Sequence, residues 1–522
     1  ARQSYLQWLF KAIKLPFLPT YNDFQLKYKH RFNAHNELTI LGIGAIDDMS
    51  LNTKLQSNGS EVQRYILSYL PRYKQWNYTV GAVYKHYGAE HTDSWVLSQN
   101  MLRNSSVKHQ SNDPTLPKLS EYQSDETESK LRYERMYTTL PFKLSFGAGL
   151  RYADYRNRAE RLAYQSGKVV PLSYDAHIRL LAYSAFAQAS DEYLDRRLKI
   201  GLGVNLVGNT LNSVMSNPFP QLSPRLSVSF ALTDDIDLNA NFGRYAMQPS
   251  YTSMGYQAPD GTYPNKMRLR YITSNQAVLG GEYHLGSYLH FSAEGFYKSY
   301  SSYPISEIEG ISLASKGTEY GQVGAEAVLS TGEGRAYGAE VVARLMPWHQ
   351  FSATATYTLF RSEFTDKAGI YRPSSWDTRQ MLNLLLSYRL GKSWYLSASW
   401  RYSGGAPYTP IDMELSTNKA AWTVTNRAYP DYARFNTLRL PAKHQLDLRL
   451  DKEFYFKRWM LNLYLDVQNA YLSSYVSAPI YTNRDSSGEV MDHPSDPERQ
   501  QLRQLDYYSK LILPTLGLII KL

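Results

Sequence analysis

Along much of the chain, apolar and polar residues alternate with a period of two, the signature of a strand whose two faces meet different surroundings. Between Trp394 and Tyr402, the residues Trp394, Leu396, Ala398, Trp400 and Tyr402 fall on one face, and Tyr395, Ser397, Ser399 and Arg401 on the other. The preceding run sets Leu382, Leu384, Leu386 and Tyr388 against Asn383, Ser387 and Arg389, with only Gly391-Lys392-Ser393 between the two runs. Together they predict a hairpin. Downstream, Leu446, Leu448, Leu450 and Phe454 oppose Asp447, Arg449, Asp451 and Glu453; after a turn at Lys457-Arg458, Trp459, Leu461, Leu463, Leu465 and Val467 oppose Asn462, Tyr464, Asp466 and Gln468. Upstream, Leu289, Phe291, Ala293 and Tyr297 alternate with His290, Ser292, Glu294 and Lys298, and Leu144, Phe146, Ala148, Leu150 and Tyr152 with Ser145, Gly147, Gly149 and Arg151. About ten such residues at about 3.3 Å each, tilted near 45°, span about 25 Å, the height of an outer-membrane apolar band.

A water-soluble sandwich also alternates, so the connections decide between the two. Short turns at Asn33 to Asn36, Thr233 to Ile236, Gly286-Ser287, Pro347 to Gln350 and Gly391 to Ser393 alternate with long polar loops. Those loops are expected near Gly88 to Glu126, Gln248 to Arg270, Ser301 to Gly334, Ala406 to Leu440 and Leu472 to Asp506. A sandwich has no reason to gather its long loops at one end, whereas a membrane barrel pairs short periplasmic turns with long extracellular loops. The expected fold is therefore all-β, a transmembrane antiparallel β-barrel. About 20 strands are counted, the first near Gln3 to Phe10 and the last near Leu511 to Leu522, and a lumen of that size needs a plug. With no linker or composition shift along the chain, residues 1–522 read as one barrel domain.

Composition sharpens this reading. No stretch approaches the ~18 consecutive apolar residues of a membrane helix, and a barrel strand averages out as polar because it shows lipid only every second residue. Tyr occurs 45 times against 18 Phe, and Tyr suits a membrane interface, with its ring among headgroups and its hydroxyl in water. There is no Cys, hence neither disulfides nor thiolate metal sites. The net charge is +10, but the 57 Lys and Arg are spread along the chain without a basic run. Lumen and rim charges that meet anionic lipid or lipopolysaccharide phosphates explain them better than nucleic acid, which is not an expected partner.

Candidate chemistry is sparse. His86, Glu90 and His91 form the tightest His group, but the spacing is not that of an H-x-x-E-H site and no helix carries it. Gly332, Gly334 and Gly338 miss the dinucleotide fingerprint by one position and precede the alternating run Arg335 to Ala343, so close backbone approach is the better reading. The inward carboxylates Asp447, Asp451, Glu453 and Asp466 sit among Arg389, Arg401 and Arg449, which favours charge pairing on the lumen wall over a catalytic pair. No catalytic residue, metal site or cofactor is assigned, and an enzyme is not expected. At the end of the chain, Leu516, Leu518, Ile520 and Leu522 share one face, as in barrel C-termini read by the assembly machinery, although the last residue is not aromatic.

Several segments, in order and spacing, are familiar: Arg2-Gln3-Ser4-Tyr5-Leu6-Gln7 through Leu15-Pro16-Phe17-Leu18-Pro19-Thr20-Tyr21-Asn22-Asp23, Gly243-Arg244-Tyr245 leading to Pro249-Ser250-Tyr251, and Pro373-Ser374-Ser375-Trp376-Asp377-Thr378-Arg379. Trp400-Arg401-Tyr402-Ser403-Gly404-Gly405-Ala406-Pro407-Tyr408-Thr409-Pro410 and Leu463-Tyr464-Leu465-Asp466-Val467-Gln468-Asn469 complete the set. Over nearly its whole length the chain resembles TonB-dependent receptors of the Bacteroidota type. The resemblance implies a barrel of about 22 strands in the outer membrane of a Gram-negative cell, plugged by an N-terminal domain. It also implies a TonB-contacting segment near the N-terminus, through which proton-motive force drives uptake of a siderophore, heme, cobalamin, glycan or peptide. The plug, the TonB-contacting segment and about two strands have no counterpart in the sequence, so the 522 residues are expected to be the remainder of a longer protein, with a plugless natural variant as the alternative.

For binding, the expectation falls on aromatic residues of loop bases: Tyr251, Tyr256, Tyr263 and Tyr303, next to the segment Pro249-Ser250-Tyr251. The competing role for each is an ordinary loop or girdle tyrosine. A second functional reading is a receptor-like barrel serving as a scaffold in an outer-membrane complex, with surface lipoprotein or other protein partners.

Overall fold

In a computed structural model, residues 2, 3, 7–137, 139–165, 167–317, 323–505 and 508–521 are described. They form one 21-stranded sheet and three small two-stranded ribbons. Two strands of the large sheet are short, Arg2–Gln3 and Tyr371–Pro373. The others, in chain order, are β1 (Phe17–Asn33), β2 (Asn36–Leu51), β3 (Arg72–Tyr87), β4 (His91–His109), β5 (Lys118–Tyr137), β6 (Lys143–Gln165), β7 (Lys168–Tyr193), β8 (Leu198–Asn209), β9 (Ser223–Ala231) and β10 (Ile236–Met247). They continue with β11 (Ile272–Leu285), β12 (Leu289–Ser306), β13 (Val328–Trp348), β14 (Phe351–Thr365), β15 (Gln380–Gly391), β16 (Trp394–Ser403), β17 (Lys443–Tyr455), β18 (Met460–Gln468) and β19 (Leu513–Lys521). Each pairs antiparallel with the next, as in an up-and-down barrel wall.

Register carries the alternation across strands. Tyr388 pairs with Leu396, Leu396 with Leu450, Leu450 with Leu465, and Leu465 with Leu516. Every member of that row is apolar. Leu516 is 82% exposed and Leu518 63%, which water would penalise and lipid does not. The opposite face carries ion pairs: Arg401 with Asp447, and Arg449 with Asp451 at 2.8 Å. Arg389 departs from its expected role, since its Nε donates to the Gly391 carbonyl rather than to a carboxylate.

The connections alternate, short at one end and mostly long at the other, where β6 and β7 are nevertheless joined by two residues, and two expected loops are corrected. The segment from Gly88 to Glu126 is not a loop: Gly88–Glu90 is a tight turn, followed by β4 and β5, and only residues 110–117 join these two. The strands β4 to β7 have 19, 20, 23 and 26 residues, well beyond the roughly ten that cross lipid. Above the bilayer both faces meet water or loops, so the two-residue period fades although the ladder continues. Likewise β12 runs on to Ser306 and β13 begins at Val328.

At the start, residues Gln7–Ala12 form a helix, and among the described residues before it Arg2 and Gln3 pair with Asp23 and Asn22. The consecutive apolar residues Trp8, Leu9 and Phe10 break the two-residue period, and the helical turn follows that break. Ser4, Tyr5 and Leu6 of the expected first strand lie outside the described residues, as does Leu522 at the end of the last.

Two glycines do what their spacing implied. A Cβ on Gly338 would lie 2.2 Å from the Leu359 carbonyl oxygen, and one on Gly334 would strike the Phe364 ring. Both ease the packing of β13 on β14.

Candidate functional site

Tightly packed residues lie among the loops at the long-loop end rather than inside the wall. One body forms where the β10–β11 loop folds onto β5 to β7. Its short helix Tyr251–Met254 is capped by the Ser250 hydroxyl, which accepts from the Ser253 N–H. Tyr251 and Met254 are buried against Ala153, Tyr155, Leu180 and Ala182 of β6 and β7, with Leu211, Met215, Leu313 and Val328 from neighbouring loops and strand ends. The Tyr251 phenol donates to Glu128 Oε1 at 2.6 Å, and its ring stacks on Tyr155 with centroids 5.9 Å apart. Burial, reinforced by the Glu128 hydrogen bond, pushes the Tyr251 phenol well above its ordinary range. Glu128 also pairs with Lys130 at 2.6 Å and Arg151 at 3.4 Å.

Asn265 sews this body together. Its amide nitrogen donates to the carbonyls of Ser253 and Glu326, while its oxygen accepts from Val328 N–H at 2.9 Å. All three partners are backbone groups of the buried body, and the Ser253 carbonyl also accepts from the Gly255 N–H at the helix end.

The tyrosines expected to bind ligand divide as follows. Tyr251 is in the interior, 6% exposed. Tyr256 is half-buried and meets Tyr174 edge-on at 6.4 Å. Half-buried Tyr263 packs against two adjoining apolar clusters, and its phenol oxygen accepts from the His177 N–H at 3.4 Å. These three belong to one body. Tyr303 stands apart in an aromatic group with Tyr300 and Phe364, whose centroids are 6.3 and 5.1 Å away.

A second body joins loops distant in sequence. Tyr65, Trp422 and Leu505 pack together, and Arg503 bridges to Glu61 at 2.7 Å. The helix Lys419–Thr425, from the loop between β16 and β17, also touches β6 and β7, which are remote from its own strands in the sheet. That loop therefore reaches across the end of the sheet. Beside it, the helix Glu61–Tyr69 is pinned from the tip of β4, where buried Lys108 Nζ donates to the carbonyls of Leu67 at 2.9 Å and Leu70 at 3.1 Å. Burial lowers the Lys108 ammonium to about 8.

The loops are tied to the wall by Asp377, fully buried, which pairs with Arg439 and accepts from the Ser362 N–H at 3.0 Å. The same arginine brings Pro373–Arg379 against the Gly404-Gly405 segment, because its Nη1 donates to the carbonyls of both Asp377 and Gly405, the latter at 2.9 Å. Two of the sequence segments that carried the family resemblance thus meet in space.

Of the group His86, Glu90 and His91, which the sequence does not assign as a metal site, His86 bonds Asn36 Oδ1 at 2.9 Å and His91 faces Asp93 at 3.2 Å. Sequence reasoning overlooked Lys108, Glu128 and Asn265: the first two lie on strands β4 and β5 where polar residues occupy both faces, and the third in a loop helix, so none leaves a periodic trace.

The model of the TonB dependent receptor-like β-barrel family matches residues 18–470, most of the wall and its loops. The chain belongs to this family. The receptor resembles solved structures of the ferric citrate transporter FecA in its unliganded form (14% identity, TM-score 0.63, 97% of this chain and 71% of that one), of P. aeruginosa FpvA bound to heterologous pyoverdines (14%, 0.63, 96% and 65%) and of the copper transporter OprC (12%, 0.60, 87% and 66%). Identity this low shows a shared fold. The receptor chain spans about two thirds of the length of these structures. No curated protein matches its sequence. The family places the receptor in the outer membrane, with its short turns periplasmic and its long loops extracellular, and family and neighbours are receptors and transporters rather than enzymes.

Proposed function

We propose that the receptor captures a scarce nutrient at its extracellular mouth and takes it up by TonB-dependent transport. The observation that carries this reading is the loop helix Lys419–Thr425 reaching across to β6 and β7, which makes a roof over the mouth from loops anchored on opposite parts of the wall. Ligand-driven repacking of such a roof is a way for binding outside to be felt by the wall.

Of the four tyrosines, Tyr256, Tyr263 and Tyr303 are only half-buried and serve as contact residues, while Tyr251 shapes the body that presents Tyr256 and Tyr263. The structural neighbours include a ferric citrate transporter, a receptor bound to pyoverdine and a copper transporter, which makes a metal or metal chelate the first cargo to try, ahead of heme, cobalamin, glycan and peptide. The TonB complex would be engaged through a segment preceding these residues, with a plug in the lumen. The sequence segments support a receptor of the Bacteroidota type. Arg156, Arg158, Arg179 and His177, set around Asp154 and Asp175, give the β6–β7 hairpin a charged surface suited to lipopolysaccharide phosphates.

A deletion strain grown on defined iron, copper, cofactor and glycan sources, with uptake of labelled cargo measured, tests the proposal. Loss of uptake of one cargo, restored by the wild-type gene, is expected. Normal growth and uptake on every source, together with stably copurifying proteins, would favour a scaffold in an outer-membrane complex instead.

A further inference from the structure

At the periplasmic end of the wall, the hairpin of β11 and β12 turns at Gly286, whose φ of +54° suits a residue without a side chain. Register then pairs His284 directly with His290. Strand alternation places Glu282, His284 and His290 on the face opposite Tyr283, Leu285 and Phe291, which are exposed on the apolar side. The histidine and glutamate donors therefore gather on the lumen side.

The donor atoms are already close. Glu282 Oε2 lies 3.2 Å from His290 Nε2 and 3.8 Å from His284 Nε2, and all three atoms are within 4.8 Å of one another. Asp237 of β10, in register with Glu282, brings its Oδ2 to 3.7 Å from His284 Nε2. In a tetrahedral zinc site with bonds of ~2.0–2.1 Å, neighbouring donors lie about 3.3 Å apart, so side-chain rotation alone brings these groups into range.

The surroundings support a ligand set. Asn239 Nδ2 donates to Glu282 Oε1 at 3.0 Å, which orients the carboxylate and leaves Oε2 turned to the histidines, as hydrogen-bond partners that hold metal ligands in place do. Two carboxylates face two imidazoles, and the Asp234-Asp235 turn adds negative charge at the same end. The nearby cation is Arg344 of β13, in register with His290; it is exposed, and its long stem lets the guanidinium turn to solvent.

We propose that Glu282, His284 and His290, with Asp237 or water as the fourth ligand, bind a divalent transition metal of the zinc type at the periplasmic rim. Mixed nitrogen and oxygen donors select such an ion over calcium or magnesium, which take oxygen ligands. A bound ion would join β10, β11 and β12 at one level of the wall. This site is separate from the mouth and does not depend on the transported cargo.

The test is zinc binding by the detergent-purified full chain after chelator treatment, measured by equilibrium dialysis with elemental analysis. One tightly held equivalent is expected, undiminished by excess calcium, and cobalt substitution should give the intense visible bands of a tetrahedral site. The His284→Ala/His290→Ala double variant should lose that equivalent, and His284→Gln alone should weaken it, both still showing the heat-modifiable gel migration of a folded barrel. Asn239→Ala should weaken binding about 10–100-fold, and His86→Ala should leave it unchanged. Absence of a stoichiometric zinc ion in the wild type would overturn the proposal, leaving a hydrogen-bonded cluster; so would retention of the ion in the folded double variant.

Discussion

Asp377 and Arg439, 62 positions apart, form an ion pair in which the carboxylate is entirely shielded from solvent. Arg361 Nε stands 3.4 Å from the same carboxylate, and the Arg439 guanidinium also holds the carbonyls of Asp377 and Gly405. The pair fastens the large β16–β17 loop to the connection between β14 and β15.

Removing one partner deprives the other of its main counter-charge, since Arg361 stands farther from the carboxylate. Asp377→Asn or Arg439→Met should therefore destabilise this junction by about 3–5 kcal/mol. Denaturant titration read by heat-modifiable migration would show it as a lower midpoint, while the double variant Asp377→Asn/Arg439→Met should recover part of the loss.

Lys108 predicts a pH dependence. Its folded value, about 8, lies below that of an exposed lysine, so between about 8 and the usual lysine range the unfolded loop binds a proton that the docked loop has released. Docking of the helix Glu61–Tyr69 should strengthen as pH rises through that window, and stay level below it, where the cost of burying the ammonium is fully present. Hydrogen-exchange protection of residues 61–69, corrected for intrinsic rates, should rise from pH 8 to pH 10 in the wild type and stay flat in Lys108→Met.

Tyr251→Phe removes the donor to Glu128 and keeps the stacking on Tyr155. A hydrogen bond to a charged group contributes about 1.5–3 kcal/mol. The loss should appear as faster exchange and proteolysis in residues 248–271, with no change in the strands. Tyr256→Ala should instead weaken cargo uptake without loosening the loop, which uptake assays and proteolysis together would separate.

The two faces of the wall should respond in opposite ways. Leu463, exposed on the apolar side near the middle of β18, should cost about 2–4 kcal/mol when changed to Arg in a bilayer, whereas Ser399→Arg on the lumen side should cost little. Folding yield and urea midpoints in lipid vesicles would distinguish them; equal effects would contradict the assigned faces.

What the sequence determined by itself is the two-faced wall. Each residue of a run such as Leu461 to Val467 meets either lipid or lumen, so the environment is written into every second position and needs no knowledge of the partner strand. The turns and loops were legible for a similar reason, since Gly286-Ser287 and Gly391 to Ser393 interrupt the pattern locally. That legibility failed over the whole of β4 and residues 118–126 of β5, where many polar residues blur the alternation and the pattern reads as loop although the two strands pair from His91 with Tyr137 to Lys108 with Ser120.

Only the tertiary structure decided which loops meet. Glu61 and Arg503 pair across 442 positions, and Asp377 finds Arg439, without any periodic trace, because a contact between loops depends on where the wall delivers their ends. His284 and His290 show both regimes. Alternation puts them on one face, but it takes the register fixed by the turn at Gly286 to set their rings 4.6 Å apart, and a third strand to bring Asp237 beside them. Period records what a face is exposed to, whereas distance between side chains is set by register and closure, which exist only once the chain has folded.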